Sequence, residues 1–398
     1  MTIYIKQHSQ FFSINNQTTT TIMSSSSGGS SINFNNILFL NTDVLNLFTK
    51  LAKKHQDDEK SCIFDVSSVL QVLKLAVGGF GNKTEASLTD LKNMIKMAPK
   101  LDNKNSRSAV LIRNHYNFTQ KYMDEFNNEA ILDNIPTKST ELDRINKIIH
   151  KKYPDNYYNR DNFLENPIDI SAFLVIINEN SFEGKWETPF SYIEDATFYV
   201  NSEEEKTIEI PMLNINNEPR ILIKTFKDET INSLVVALNY TNEYKMLIIR
   251  PDEPKTKKQL IELCETKLNG PTIQNIIDKF ENVNYTDVSM PQFSFQTNWD
   301  LKEAAGEIPY LKTLFDGSTM DYSNLSPDMV KGQSKLTSLT SRSNITNDKY
   351  GTRVESRSEL LGYDSHVSKR NRLDLNSPFI FMVMNDENKI HNVGLFVG

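Results

Sequence analysis

The sequence predicts an α+β fold, and three observations carry that expectation. Helical periodicity dominates roughly the first hundred residues and strand-like stretches dominate the rest. No repeating βαβ rhythm and no internal repeat joins the two. One run, AFLVII at residues 172–177, is apolar throughout, as expected of a central strand covered on both faces.

Taken in order, residues 1–35 are rich in Ser, Thr, Asn and Gly. They hold too little apolar surface to offset the cost of ordering, so a disordered tail is expected, with the fold starting near Asn36. Thr42 or Asp43 is suited to cap a helix whose apolar positions Val44, Leu45, Leu47, Phe48 and Leu51 recur at helical spacing. Residues 62–77 (CIFDVSSVLQVLKLAV) predict a buried helix closed at Gly78 and Gly79. A third helix is expected over 84–97, with Thr84 and Ser87 as candidate caps.

From Ala109 the pattern turns to strands at 109–118 and 129–135, with a short helix at 122–126 between them. Over 141–152 a helix sets Leu142, Ile145, Ile148 and Ile149 against a wet face of Arg144, Lys147, Lys151 and Lys152. The central strand is expected over 168–178, then strands at 196–200, 208–212, 234–238 and 245–249. A helix over 257–268, one strand over 288–296, a helical stretch over 301–315 and strands at 378–384 and 393–397 complete the chain.

Composition narrows the function. At 398 residues, with 38% hydrophobic residues including 22 Phe, a sizeable core is available. A net charge of −7 argues against general nucleic-acid binding, which needs a basic face. Two cysteines, Cys62 and Cys264, are too few for a disulfide framework and fit a reducing compartment. The first 31 residues lack the apolar core of a signal peptide, and no run approaches the roughly 18 residues of a membrane span. A cytoplasmic protein without membrane contact is expected; the alternative, an extracellular one, is raised by sequons at Asn16, Asn82, Asn117, Asn239, Asn284 and Asn344.

Sites for chemistry are wanting. The six histidines show neither i,i+4 pairing nor partnership with the cysteines, so no metal and no cofactor is expected. The cluster GGFGNKT at 78–84 lacks phosphate-loop spacing and follows a helix, so it reads as a helix end. No Gly-x-Ser-x-Gly elbow occurs and no triad is assignable, which leaves an enzyme without a nucleophile or base.

Residues 178–190 (NENSFEGKWETPF) carry Asn178-x3-Phe182-x-Gly184-x-Trp186 followed by Pro189-Phe190. Beside it stand IPML at 210–213, VVALNY at 235–240, KMLIIRPDE at 245–253, MPQFSF at 290–295, DLKEAAGEIPYLKTLFD at 300–316, SPFIFMV at 377–383 and VGLFVG at 393–398. In order and spacing these resemble the serpin family over roughly residues 38–398. The resemblance implies one domain over 36–398, a monomer with three β-sheets and eight or nine helices. Its central sheet would open around Ser68, Asn178 and Trp186. It also implies that the polar stretch 349–377 is a reactive-centre loop, bait for a serine or cysteine protease. The protease cuts it and forms an acyl-enzyme, and the freed loop inserts as a new central strand before deacylation. The alternative the family allows is a non-inhibitory binding or chaperone-like protein.

Matching the family's Gly-Thr hinge onto Gly351 and Thr352 gives an inserting strand of about 15 residues, roughly 50 Å long, ending at Ser365. Where the family carries a short alanine run, this chain has Arg353, Val354, Glu355, Ser356 and Arg357. Strand alternation still sets Thr352, Val354, Ser356, Ser358 and Leu360 on one face and Arg353, Glu355, Arg357 and Glu359 on the other. Counting from the hinge places the bait bond at Ser365-His366, and counting back from Pro378 places it at Val367-Ser368. Asp364 before Ser365 suits an Asp-directed cysteine protease, and Lys369, Arg370 and Arg372 suit a trypsin-like one. Several departures weigh against inhibition. Ser341 stands where the family has His, Lys349 replaces an acidic residue two before the hinge glycine, and Gln292 replaces its basic partner. Of the family's Ser-Pro-x-Ser only Ser68 remains, in Asp65-Val66-Ser67-Ser68; the region after Leu88 is short, and the chain stops at Gly398, earlier than is usual.

Overall fold

The computed structural model describes residues 34–81, 88–97, 106–153, 163–201, 206–316, 318, 320–329, 336–352 and 372–398. The expected N-terminal tail and the candidate caps Thr84 and Ser87 lie outside them.

The first helix, α1 (Phe34–Lys53), begins eight residues before its expected cap, and the Thr42 hydroxyl donates back to the Leu38 carbonyl at 2.8 Å within it. The expected helix over 62–77 divides into a strand, β1 (Cys62–Asp65), and α2 (Val66–Gly78). Asp65 makes the switch: its backbone is extended and its carboxylate caps the helix by accepting from Ser68 N. Gly79 follows as the cap with φ −75°, an ordinary right-handed value. What needs a glycine there is the approach of Leu325, whose Cβ would lie 2.9 Å from a Cβ at this position.

There follow α3 (Thr89–Met97), β2 (Ser106–Ile112), α4 (Gln120–Phe126), β3 (Ile131–Asn134) and α5 (Ser139–Lys152). In α5, Leu142, Ile145 and Ile149 are buried as expected, while Ile148 lies at the surface. The central strand β4 (Leu174–Ser181) starts six residues later than its apolar pattern suggested. After β5 (Gly184–Lys185), β6 (Tyr192–Asn201), β7 (Lys206–Asp228), β8 (Ser233–Asn239) and β9 (Tyr244–Pro251) comes α6 (Lys257–Lys267), opened by a Thr256–Gln259 capping box. The next helix, α7 (Gly270–Asp278), was not expected; Asn269 caps it and a proline stands in its first turn.

The single strand expected over 288–296 is two, β10 (Glu281–Pro291) and β11 (Phe293–Asp300), which run in different sheets. They part at Gln292, whose N–H makes the last bond in the β10–β7 register, to the Pro211 carbonyl, before β11 turns to β12. A 3-10 turn (Leu301–Ala304) and α8 (Pro309–Phe315) replace the continuous helix expected over 301–315. The last strands are β12 (Leu336–Asp348), β13 (Gly351–Thr352), β14 (Arg372–Asp374), β15 (Phe379–Asn385) and β16 (Ile390–Phe396).

One seven-stranded sheet runs β3-β2-β4-β12-β13-β5, with β11 on the other edge of β12. The remaining nine strands form two sheets continuous through β7 and β10, because the first part of β7 pairs β6 and its last part pairs β8. With eight α-helices among the described residues, the α+β expectation and its three sheets hold. Successive residues of β4 point to opposite faces, so Leu174 and Ile176 join the main core and Val175 and Ile177 the core under α5. No helix among the described residues is long and apolar enough to cross a membrane.

Candidate functional site

The site is a seam. Strands β4 and β12 are parallel neighbours, paired from Leu174 with Leu336 to Ser181 with Asn344. Parallel neighbours must come from distant parts of the chain, and here their ladder is backed by a shared core of Leu174, Ile176, Leu336 and Leu339. Two clusters bridge it, one beneath and one at the end.

Beneath the seam lies the first turn of α2. The Ser341 hydroxyl of β12 donates to Ser68 Oγ at 2.9 Å, and Ser68 Oγ makes a long 3.5 Å bond to the Asn178 carbonyl of β4. Ser68 thus touches both strands. Asp65 does the same: Asn180 of β4 donates to its Oδ2 at 3.0 Å, and its N–H donates to Ser343 Oγ of β12 at 3.0 Å. Asn392 adds a second donor to Oδ2 at 2.7 Å, and Ser68 N reaches Oδ1 at 2.6 Å. Burial pushes the Asp65 carboxyl above its ordinary range, and these donors pull against that shift. Asn178 ties β4 onward to β2 by donating to Ser106 Oγ at 2.9 Å and Ser108 Oγ at 2.8 Å. Ser341, which stands where the family resemblance implied a histidine, bonds Ser68 by its hydroxyl.

The hinge closes the end of the seam. Beyond Asn344 the edge of β12 is free of β4, and β13 takes its place there. Asn347 pairs Thr352 and Asp348 pairs Gly351, antiparallel, while β13's other edge pairs Lys185 and Gly184 of β5. The reversal is an Asx turn in which Asp348 Oδ1 accepts from Tyr350 N at 2.8 Å and Gly351 N at 3.1 Å. Gly351 is dictated by close approach, since a Cβ there would lie 2.1 Å from the Gly184 carbonyl oxygen. Thr352 is fully buried, and its hydroxyl bonds the Tyr240 hydroxyl at 2.6 Å. Burial pushes the Tyr240 phenol far up, so it stays a neutral partner.

Trp186 belongs with the hinge and not with Ser68. Its indole donates to the Asp348 carbonyl at 3.1 Å, its N–H to the Tyr350 carbonyl at 2.9 Å, and its ring stacks on Tyr240 at 4.4 Å. Lys349 is held by its carbonyl, which accepts from Phe190 N at 2.8 Å, and its ammonium lies 4.9 Å from the Tyr350 ring centroid. The structure so brings Ser68 and Asn178 together in one cluster, and Trp186, Lys349, Gly351 and Thr352 in the other. Val354, Ser356, Ser358, Asp364, Ser365, His366, Val367, Lys369 and Arg370 lie outside the described residues. Sequence reasoning missed Tyr240, Asp348, Asn180 and Ser343. Tyr240, Asn180 and Ser343 meet their partners only across 112, 115 and 278 residues of chain, whereas Asp348 bonds Tyr350 and Gly351 locally, so an Asp ahead of the hinge glycine was a turn signal the sequence offered.

Past the stretch 353–371 the chain is anchored again where β14 pairs parallel with β10, Leu373 against Val288. Among the described residues no group of three or more His, Cys, Asp and Glu side chains could hold a metal ion.

Comparison with known proteins agrees with this architecture. A family model described as serpin (serine protease inhibitor) matches residues 44–398. A serine protease inhibitor of Mus musculus is 23% identical over 295 residues, 67% of this chain and 63% of that protein. Alpha-1-antitrypsin of Meriones unguiculatus is 24% identical over 80% of this chain and 74% of its own. The chain spans less than two thirds of some relatives it matches, down to 36% of serpin A3-2 of Bos taurus. Among solved structures, Serpin48 of the insect Tenebrio molitor, described as a highly specific serpin, superposes with TM-score 0.71 at 12% identity over 93% of this chain and 100% of its own. Human thyroxine-binding globulin complexed with its hormone gives TM-score 0.69 at 16% identity over 91% and 99%. A seam of two parallel strands ending in a Gly-Thr hinge, with the family model over most of the chain, has one reading: this chain is a member of the serpin family.

Proposed function

We propose that this chain is a suicide-substrate inhibitor of a serine or cysteine endopeptidase, trapping the acyl-enzyme by drawing its cleaved loop into the β4–β12 seam. The observation that carries the reading is the hinge register. Asn347 pairs Thr352 on the same edge of β12 that β4 occupies further down. Continued inward, that register sets Val354 opposite Ile345, Ser356 opposite Ser343, Ser358 opposite Ser341 and Leu360 opposite Leu339. Opposed residues in an antiparallel pair share a face, and these four partners are buried. The small and apolar half of the loop thus meets the core, and Ser356 and Ser358 meet the hydroxyl cluster of Ser341, Ser343 and Ser68.

The driving force is physical. Insertion replaces one parallel ladder by two antiparallel ones and buries Val354 and Leu360, at about 25 cal/mol per Å² of apolar surface removed from water. The native state is then a kinetic trap, released when the loop is cut. The target's nucleophile attacks the carbonyl of the bait bond, Ser365-His366 by the hinge count, with Asp364, Val367, Lys369 and Arg370 marking the alternatives. The ester or thioester holds the protease to the travelling strand. We take the chain to act in a reducing, cytoplasmic compartment, a proposal compatible with Cys62 and Cys264 both being free and buried.

A second reading, a non-inhibitory binding or chaperone-like protein, draws support from the four charges between Arg353 and Glu359 and from Ser341 in place of a histidine. One experiment separates them. Nicking the loop with a broad-specificity protease is expected to raise the melting temperature sharply, and a target protease to form an SDS-stable complex. A nicked chain that melts where the intact chain does sinks the inhibitory reading.

A further inference from the structure

Asp65 is an acid buried beneath the seam, 2% exposed, and only neutral groups hold it. Its Oδ1 accepts from Ser68 N at 2.6 Å, and its Oδ2 from Asn180 of β4 at 3.0 Å and Asn392 of β16 at 2.7 Å. Among the described residues no lysine, arginine or histidine bonds its carboxylate. The charged groups of the surrounding elements are engaged elsewhere. Arg107 of β2 pairs Glu179 of β4, which points away from the face that carries Asn178 and Asn180. Arg342 of β12 bonds the Phe163 carbonyl and alternates in the same way with Ser341 and Ser343. His391 of β16 lies against the Tyr244 ring, Lys74 of α2 pairs Glu129, and Asp300 at the end of β11 accepts from Lys302 N. Cys62, on the same strand as Asp65, is kept a neutral thiol by burial.

We propose that Asp65 makes the seam sensitive to pH: a proton on its carboxylate holds β4 and β12 closed in mild acid, and loss of that proton toward neutrality eases their parting. The inference rests on the closed geometry and stands whether or not a loop enters. Asp65 bonds both strands, Asn180 of β4 through its carboxylate and Ser343 of β12 through its N–H, so water reaches the carboxylate when the two part. A carboxylate taken from water and given no cation is costlier to ionise than a hydrated one. The closed seam also has a place for the proton. Asn392 Oδ1 is buried without a donor, and a half-turn of that amide presents it to a protonated Oδ2. The sign follows. Closed, burial holds the carboxyl above its ordinary value of 3.8; open, hydration returns it there. Between the two values opening releases a proton, so the opening constant rises by about tenfold per pH unit, and it is flat on either side.

The test is amide hydrogen exchange of the intact full chain, read by mass spectrometry at about pH 4.5, 6.0 and 7.5 and corrected for the intrinsic pH dependence of exchange. Peptides covering β4 and β12 are expected to lose protection as pH rises, by up to about tenfold per unit over part of the range, while β15 still keeps its protons. Asp65→Asn retains the shape and the helix cap and should abolish the dependence. Asp65→Ser, a shorter cap, should abolish it too and serves where the Asn variant fails to fold. His391→Gln, which removes a group titrating with the opposite sign, should leave it in place. Wild-type protection that is flat across the range overturns the proposal. So does a dependence that survives in Asp65→Asn or Asp65→Ser or disappears in His391→Gln, and so does exchange of β15 in step with β4 and β12, which would report unfolding of the whole chain. None of these outcomes bears on the inhibitory reading, which the nicking experiment decides.

Discussion

Replacing Ser358 by arginine is the most informative perturbation of the seam. The hinge register sets position 358 opposite Ser341, whose hydroxyl donates to Ser68 at 2.9 Å, and Ser68, Asn178 and Ser341 have no exposed surface. A guanidinium drawn in here loses its water without a built partner, at a cost of about 3–5 kcal/mol. If half of that is felt in the transition state for insertion, the step slows by roughly 10- to 100-fold, since about 1.4 kcal/mol is a factor of ten. Insertion competes with deacylation, so the outcome shifts from trapping to turnover. With a target protease, Ser358→Arg should yield nicked chain at the wild-type rate and little SDS-stable complex. Ser358→Glu should fail likewise, which separates desolvation from any attraction to Asp65. Glu359→Gln, one residue on and facing the other way, should keep most of its complex. Equal behaviour of Ser358→Arg and Glu359→Gln in the gel assay would refute the register.

Three further outcomes are expected. Tyr240→Phe leaves the buried Thr352 hydroxyl without its 2.6 Å partner and should destabilise the uncleaved chain by about 1–3 kcal/mol in denaturant unfolding, whereas adding Thr352→Val should restore part of that loss. His391 is pushed down to about 4, chiefly by burial and secondarily by Lys389, so the native state holds it neutral. Its contribution is present above the ordinary value of 6.5 and is lost as pH falls toward 4, by roughly 3 kcal/mol in all; in unfolding titrations His391→Gln should lack that slope. Burial pushes the Cys62 thiol up to about 11 and Cys264 still higher, so neither should react with a thiol reagent at neutral pH until the chain is unfolded.

Much of the molecule was legible before its structure. The apolar run at 172–177 identified the central strand, because a strand covered on both faces has no polar alternation to hide it. The motif from Asn178 to Phe190 pointed to the family, and the family model over 44–398 agrees. Errors gathered where a local pattern served two structures. Residues 62–65 are apolar enough for a helix, and become strand because β16 offers them a ladder. Residues 288–296 alternate on either side of a one-residue slip at Pro291-Gln292, between Met290 and Phe293, and divide there because β7 and β12 draw the halves into different sheets.

The sequence by itself determined the class of fold, its central strand and the alternation that gives the loop one small and apolar face. Periodicity is local, and a run of ten residues suffices to express it. Only the tertiary structure decided that Ser341 bonds Ser68 across 273 residues, that Thr352 is seated against Tyr240 across 112, and that Glu179 stands between Arg107 and Arg342. These pairings follow from strand register, which is fixed by the burial of whole strands at once. No residue in either partner's neighbourhood carries that information alone.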